Sequence, residues 1–297
     1  MKNVILIISV FIIVASCSNK KTLSVEKTVS TSESNVFEVE NNNISNNDTL
    51  KQHFIPRIQG VWVLTDYIND IEKTKSPLKS WDKLEGIVTM IIDVENQSDS
   101  IEVGISWNNH EGDNFMLYFQ TGQKENSLKT NIINYDEKSN FYELGYETIS
   151  NITYLFLYHY DKTNLFIEKT QFSKVADGQQ DDDLGWGLQY MVNRRLFSGS
   201  FTLVDSLNKT TKVKFNDDGS LMGFPEYKTY HIQTDYLGDP IYLDSDIILF
   251  WNEKRDITQY AFQIFKDTIC LYSVIFHEEV GIPFELDELK YKLVRNK

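Results

Sequence analysis

The stretch Gly60-Val61-Trp62-Val63-Leu64-Thr65-Asp66 returns later in the chain as Gly199-Ser200-Phe201-Thr202-Leu203-Val204-Asp205. Both copies run glycine, any residue, aromatic, any residue, leucine, with an aspartate close behind. β-Branched and aromatic residues dominate each copy, so each is predicted to be a strand. Each also opens a long run of short apolar segments. A chain that starts the same strand twice is constrained towards two similar β domains.

In the first run the apolar segments recur at 86–94, 100–107, 114–120, 127–133, 140–149, 152–160 and 164–175. Turn residues such as Asn108-Asn109 and Asp161-Lys162-Thr163 separate them. Short, even spacing without a long helical pattern predicts a meander closed into a barrel. The polar stretch 69–80, with Pro77, reads as a loop or short helix. Leu50, Phe54 and Ile58 precede the opener at helical spacing.

The second run starts with a predicted helix over 184–197. Leu184, Leu188, Met191 or Val192, and Leu196 fall near helical spacing. Asp181-Asp182-Asp183 suit its N-terminus, and Arg194 and Arg195 suit its C-terminus. Strands are then predicted at 212–215 and 220–223, joined by an Asn216-Asp217-Asp218-Gly219 turn, and at 227–233, 246–251, 258–266, 268–276 and 288–295. All five prolines are expected outside strands. The predicted class is all-β: two tandem up-and-down barrels, 54–175 and 176–297, joined by a short helical connector.

The N-terminus reads as an address. Met1-Lys2-Asn3 is a short basic start, and Val4 to Ala15 is apolar but shorter than the ~20 residues a membrane span needs. Val14-Ala15-Ser16-Cys17 follows, and it resembles a bacterial lipoprotein signal. The resemblance implies removal of a signal peptide at 1–16 and acylation of Cys17, palmitate-type chains giving stable membrane anchoring. Ser18 after the cysteine implies the outer membrane, on the periplasmic face by default. Residues 17–53 are rich in Ser, Asn and Thr and poor in large apolar residues, so they are expected to be a disordered tether.

Gly60-Val61-Trp62 at the head of the first domain resembles the opening motif of the lipocalin-like superfamily. In that family the Trp seals the barrel floor and a basic side chain from the last strand lies across it. The resemblance implies that Lys174 partners Trp62, and Arg295 partners Phe201, which replaces Trp in the second half. The hairpin around Phe215 to Phe224, followed by Tyr230-His231-Ile232, is similar to that of bacterial lipocalin-like lipoproteins. The resemblance implies a fold and a common use, the holding of a hydrophobic small molecule. Fold alone does not fix function.

No side-chain constellation points to chemistry. The net charge of −14 argues against nucleic acid, which needs a basic stripe. Cys270 is the one cysteine outside the signal, so no intramolecular disulfide is expected, and its apolar setting predicts an inert thiol. His53, His110, His159, His231 and His277 lack zinc-ligand spacing, and no cofactor motif is present. Asp181 to Asp183 and the region from Asp235 to Asp246 follow no calcium-loop pattern. Tyr154, Phe156, Tyr158 and Tyr160 form a stripe open to three readings: ligand wall, domain contact or ordinary sheet core. Trp62, Leu64 and Asp66 share one face by strand parity, as do Phe201, Leu203 and Asp205.

The expected function is non-catalytic binding of an apolar or amphipathic small molecule inside a barrel. The candidate ligand-binding residues are Trp62, Trp107 and Tyr118 in the first barrel, and Trp251 and Tyr260 in the second. The alternative is a protein-interaction lipoprotein: a scaffold, inhibitor or accessory factor for an envelope partner.

Overall fold

A computed structural model of the chain describes residues 46–94, 99–133, 137–178, 183–237, 244–276 and 283–296. Cys17, Asp181, Asp182 and His277, weighed above, lie outside the described residues, as does Asp239 within the region from Asp235 to Asp246. Ile44 to Lys297 form one compact unit.

Helix α1 spans Asn46–Ile58 and so begins inside the segment expected to be tether. Asp48 near its start and Arg57 in its last turn suit the helix dipole. Strand β1, Gly60–Leu64, follows at once. The extended run stops there, because Thr65 opens helix α2, Thr65–Thr74. Asp66 therefore lies on a helix, exposed, and not on the face of Trp62 and Leu64. A 3-10 turn at Leu78–Lys83 completes the polar stretch that the sequence left as loop or helix.

Seven further strands complete the first sheet: β2 (Ile87–Ile92), β3 (Ser100–Trp107), β4 (Glu111–Thr121), β5 (Ser127–Thr130), β6 (Phe141–Ile149), β7 (Ile152–Tyr160) and β8 (Phe166–Ala176). They pair antiparallel in chain order, and β8 returns to β1 to close a barrel. Inward residues alternate along each strand, as in Ile101, Val103 and Ile105 of β3. The stripe of Phe156, Tyr158 and Tyr160 has the opposite parity to inward Leu155 and Leu157. It forms a separate aromatic cluster on the outer wall with Phe141 and Tyr154.

Helix α3, Trp186–Leu196, connects the two sheets. The second sheet comprises β9 (Gly199–Asp205), β10 (Thr210–Phe215), β11 (Leu221–Met222), β12 (Thr229–Ile232), β13 (Asp246–Trp251), β14 (Ile257–Phe265), β15 (Thr268–Phe276) and β16 (Pro283–Arg295). Its order is β11-β10-β9-β16-β15-β14-β13-β12. The two outermost strands meet. Ser220 bridges Thr229, Leu221 N–H donates to Lys228 O at 2.7 Å, and Tyr230 N–H donates to Gly219 O at 2.8 Å. Pro283 opens β16, contrary to the expectation that every proline avoids strands; a first strand position tolerates the missing donor. Asp205 ends β9 and faces its turn, accepting from Leu207 N–H and Lys209 N–H. Cys270 is buried and unpaired.

The two openers adopt the same local structure. Gly60 and Gly199 have φ of +125° and +131°, a region that side chains disfavour. Trp62 and Phe201 are fully buried. Trp62 pairs in register with Lys174, and Phe201 with Arg295. The Lys174 ammonium sits 5.5 Å from the Trp62 ring centroid, and the Arg295 guanidinium 4.6 Å from that of Phe201. In each pair one member is also tied to the chain at the end of the preceding helix. Trp62 Nε1 donates to Ile58 O at 2.7 Å, while Arg295 donates to Ser198 O and Leu196 O at the end of α3.

α3 serves both sheets. Gly187 lies against Val61, Val63 and Thr89 on the outer wall of β1 and β2. Leu188, Met191, Val192, Leu196 and Phe197 join the core cluster that also holds the interior of the second sheet. Polar bonds reinforce the junction. Arg195 pairs with Glu72 at 2.8 Å, Asn109 donates to Thr234, and Leu78 N–H donates to Asp246 at 2.7 Å.

Candidate functional site

The first barrel has one sealed end and one open end. At the sealed end α1 inserts Phe54 and Ile58 beneath Trp62, and His53 Nε2 lies 2.6 Å from the Tyr146 hydroxyl. The opposite end gathers the starts of β2, β4, β6 and β8 and the ends of β3, β5 and β7. A hollow of about 540 Å³ lies there. Its apolar wall includes Ile87, Trp107, Ile132, Tyr142, Leu157 and Phe172, and Glu85, Glu168 and Thr170 supply polar edges. A second hollow of about 380 Å³ adjoins it, sharing Trp107 and Ile132, with Glu111 and Asp113 on its edge.

Local geometry explains why this end stays open. β5 has only four residues, and its register against β4 shifts between Leu117 and Thr121. The chain leaves the sheet after Thr130, so Trp107 and Ile132 pack against the core on one side only. Gly86 and Asn108 brace the rim. Asn108 N–H donates to Gly86 O at 2.8 Å, and Gly86 N–H donates to the Asn108 side chain at 2.7 Å. Tyr142 stacks on buried His159, with centroids 4.4 Å apart and planes 12° from parallel. His159 Nδ1 is 3.4 Å from Glu168, and its Nε2 is 3.2 Å from the Asn140 amide.

Of the five side chains expected to line a cavity, Trp107 does so. The other four lie elsewhere. Trp62 is part of the sealed floor, with its indole N–H already bonded. Tyr118 alternates with buried Phe115, Leu117 and Phe119, so its ring points outwards. Trp251 alternates with inward Ile248 and Phe250, and it meets His231 edge-on on the outer face. Tyr260 faces inwards but into a ring lattice: its hydroxyl is 2.9 Å from that of Tyr227, and its ring contacts Phe250 and Tyr291. Rings of Phe197, Phe201, Phe215, Phe224 and Tyr230 extend that packing through the second sheet. Strand parity would have turned Tyr118 and Trp251 outwards and raised Tyr142, Thr170 and Phe172 as inward candidates. It could not have said which barrel end was open.

Among the described residues, no group of three or more His, Cys, Asp or Glu side chains could hold a metal ion.

A smaller hollow of about 270 Å³ borders the junction, next to Asp246, Leu78 and Phe262. Burial pushes the Asp246 carboxyl up to about 6, against the opposing bonds from Leu78 N–H and Ser76. The buried Tyr67 hydroxyl nearby has no hydrogen-bond partner among the described residues, and its pKa is raised by burial and by the Asp246 charge.

Comparison of the chain with models of known protein families, with curated proteins and with solved structures gave no match.

Proposed function

We propose that this chain is a lipid-anchored protein of the bacterial outer membrane, carrying two lipocalin-like barrels. It holds an apolar or amphipathic small molecule in the mouth of the first barrel without transforming it. The observation that carries this reading is the hollow of about 540 Å³ walled by Trp107, Tyr142, Leu157 and Phe172. Small-molecule sites are concave, mostly apolar and roughly 300–1,000 Å³ in volume. The repeated trio of positive-φ glycine, buried aromatic and overlying cation supports the lipocalin-like reading of both halves. The anchor rests on Val14-Ala15-Ser16-Cys17, and no described helix is long and apolar enough to cross a membrane.

The test is native mass spectrometry of residues 22–297, which contain the whole compact unit, exported to the periplasm and purified without detergent. A discrete bound mass, lost on denaturation, is the expected result. Bare protein from repeated preparations would count against ligand carriage. A second reading, docking to an envelope protein, draws on exposed Leu165, Phe166 and Ile167 at the β7–β8 hairpin, beside the outer aromatic cluster.

A further inference from the structure

We propose that the open mouth of the first barrel selects a cationic amphiphile: an apolar chain that ends in an ammonium or similar head group. This rests on the binding reading above and names its ligand class. The walls supply the apolar part of the argument, because Leu157, Ile132 and Phe172 offer a chain a dry surface. The charge on the same hollow supplies the rest. Glu85 and Glu168 lie on its edge, and Glu111 and Asp113 lie on the adjoining one. Neither hollow has a lysine or arginine in its lining. His159, whose ring packs against the lining residue Tyr142, already faces Glu168 at 3.4 Å.

Each ligand charge meets a different outcome there. A carboxylate or sulfate head would sit among four carboxylates, with no lysine or arginine among the described lining residues to answer it. A neutral head would gain nothing from them. An ammonium would meet attraction from each, and Trp107 and Tyr142 are in the lining, where an aromatic ring with a free face attracts cations. The acidic groups are exposed at the rim, so any one pair is weak and screened by salt. Charges of one sign around a low-dielectric cleft act together, however, and raise the local concentration of the opposite ion. The chain's net charge of −14 adds to that field.

Calorimetric titration of residues 22–297 with decyltrimethylammonium, decanol and decanoate tests this. We expect the cation to bind about tenfold or more tighter than decanol, with decanoate weakest. The preference should shrink as salt rises. In a Glu85→Gln/Glu168→Gln double variant the cation-to-decanol affinity ratio should fall towards one. Thr170→Trp, which fills the hollow from β8, should abolish binding of both. If decanol binds and Thr170→Trp abolishes it, but the cation shows no advantage, the head-group inference fails and the binding reading stands. Cation binding that survives Thr170→Trp lies elsewhere and also overturns the inference. If no probe binds, both readings fail.

Discussion

Asp246 is the residue whose setting most clearly departs from what its sequence neighbours suggest. It stands at the head of β13, between Asp244-Ser245 and an apolar run, and it is buried against the first half of the molecule. One backbone donor, Leu78 N–H, and Ser76 answer its charge, which does not offset the loss of water. Its folded pKa of about 6 lies above the ordinary aspartate value of 3.8. The folded state therefore holds a proton that the unfolded chain gives up, and stability falls as pH rises from about 4 to about 6. At neutral pH the cost is on the order of 1–3 kcal/mol. Asp246→Asn keeps an acceptor for Leu78 and removes the charge. It should raise stability at pH 7 by that order and flatten the urea-midpoint profile between pH 4 and 6. An unchanged profile would mean that water reaches the carboxylate. In the sequence Asp246 ends an acidic region without a calcium-loop pattern; the junction between halves is what desolvates it.

At the scale of elements, α3 is the part that two neighbours shape at once. Its spacing of Leu188, Met191, Val192 and Leu196 marks one apolar face, and that face was legible. Gly187 lies in its first turn, where alanine would be worth about 1 kcal/mol more in helix propensity. The structural reason for glycine is contact with the barrel wall. A Cβ there would come 2.5 Å from Val61 Cγ1 and 3.3 Å from Thr89 Cγ2. Gly187→Ala should therefore destabilise the protein by roughly 1–3 kcal/mol despite its better propensity, read from denaturant midpoints. A gain in stability would mean that α3 stands off the wall. The strands were more legible than the helices. Eight apolar segments in the first run became β1 to β8, because period-two patterning and turn residues act locally. The boundary between β1 and α2 was not legible, since Leu64-Thr65-Asp66 suits a strand as well as a helix start.

For the whole molecule, the decisive fact is that one core cluster runs from Phe54 to Leu293 through α3. Halves that share a core should unfold together. Calorimetry on residues 22–297 should show a single transition with matching calorimetric and van't Hoff enthalpies. Two resolved transitions would mean that the shared cluster contributes little. A ligand in the mouth should shift that transition upwards, by the equivalent of about 2.7 kcal/mol at a hundred times its Kd.

The repeated opener, the strand count and the partnership of Trp62 with Lys174 and Phe201 with Arg295 could all be read before any coordinates. The opener and the strand count depend on patterning along the chain and on glycine's tolerance of positive φ, while the two partnerships are what the resemblance to lipocalin-like barrels implies. The candidate site depended on something else. Whether a barrel is hollow is decided by how side chains from all eight strands fill its ends, and no local pattern records that volume. β5 stops short and leaves space above Leu157, whereas rings from β9 to β16 close the second interior. The same tertiary arrangement set carboxylates on the rim, turned Tyr118 and Trp251 outwards, and drew Asp246 out of water.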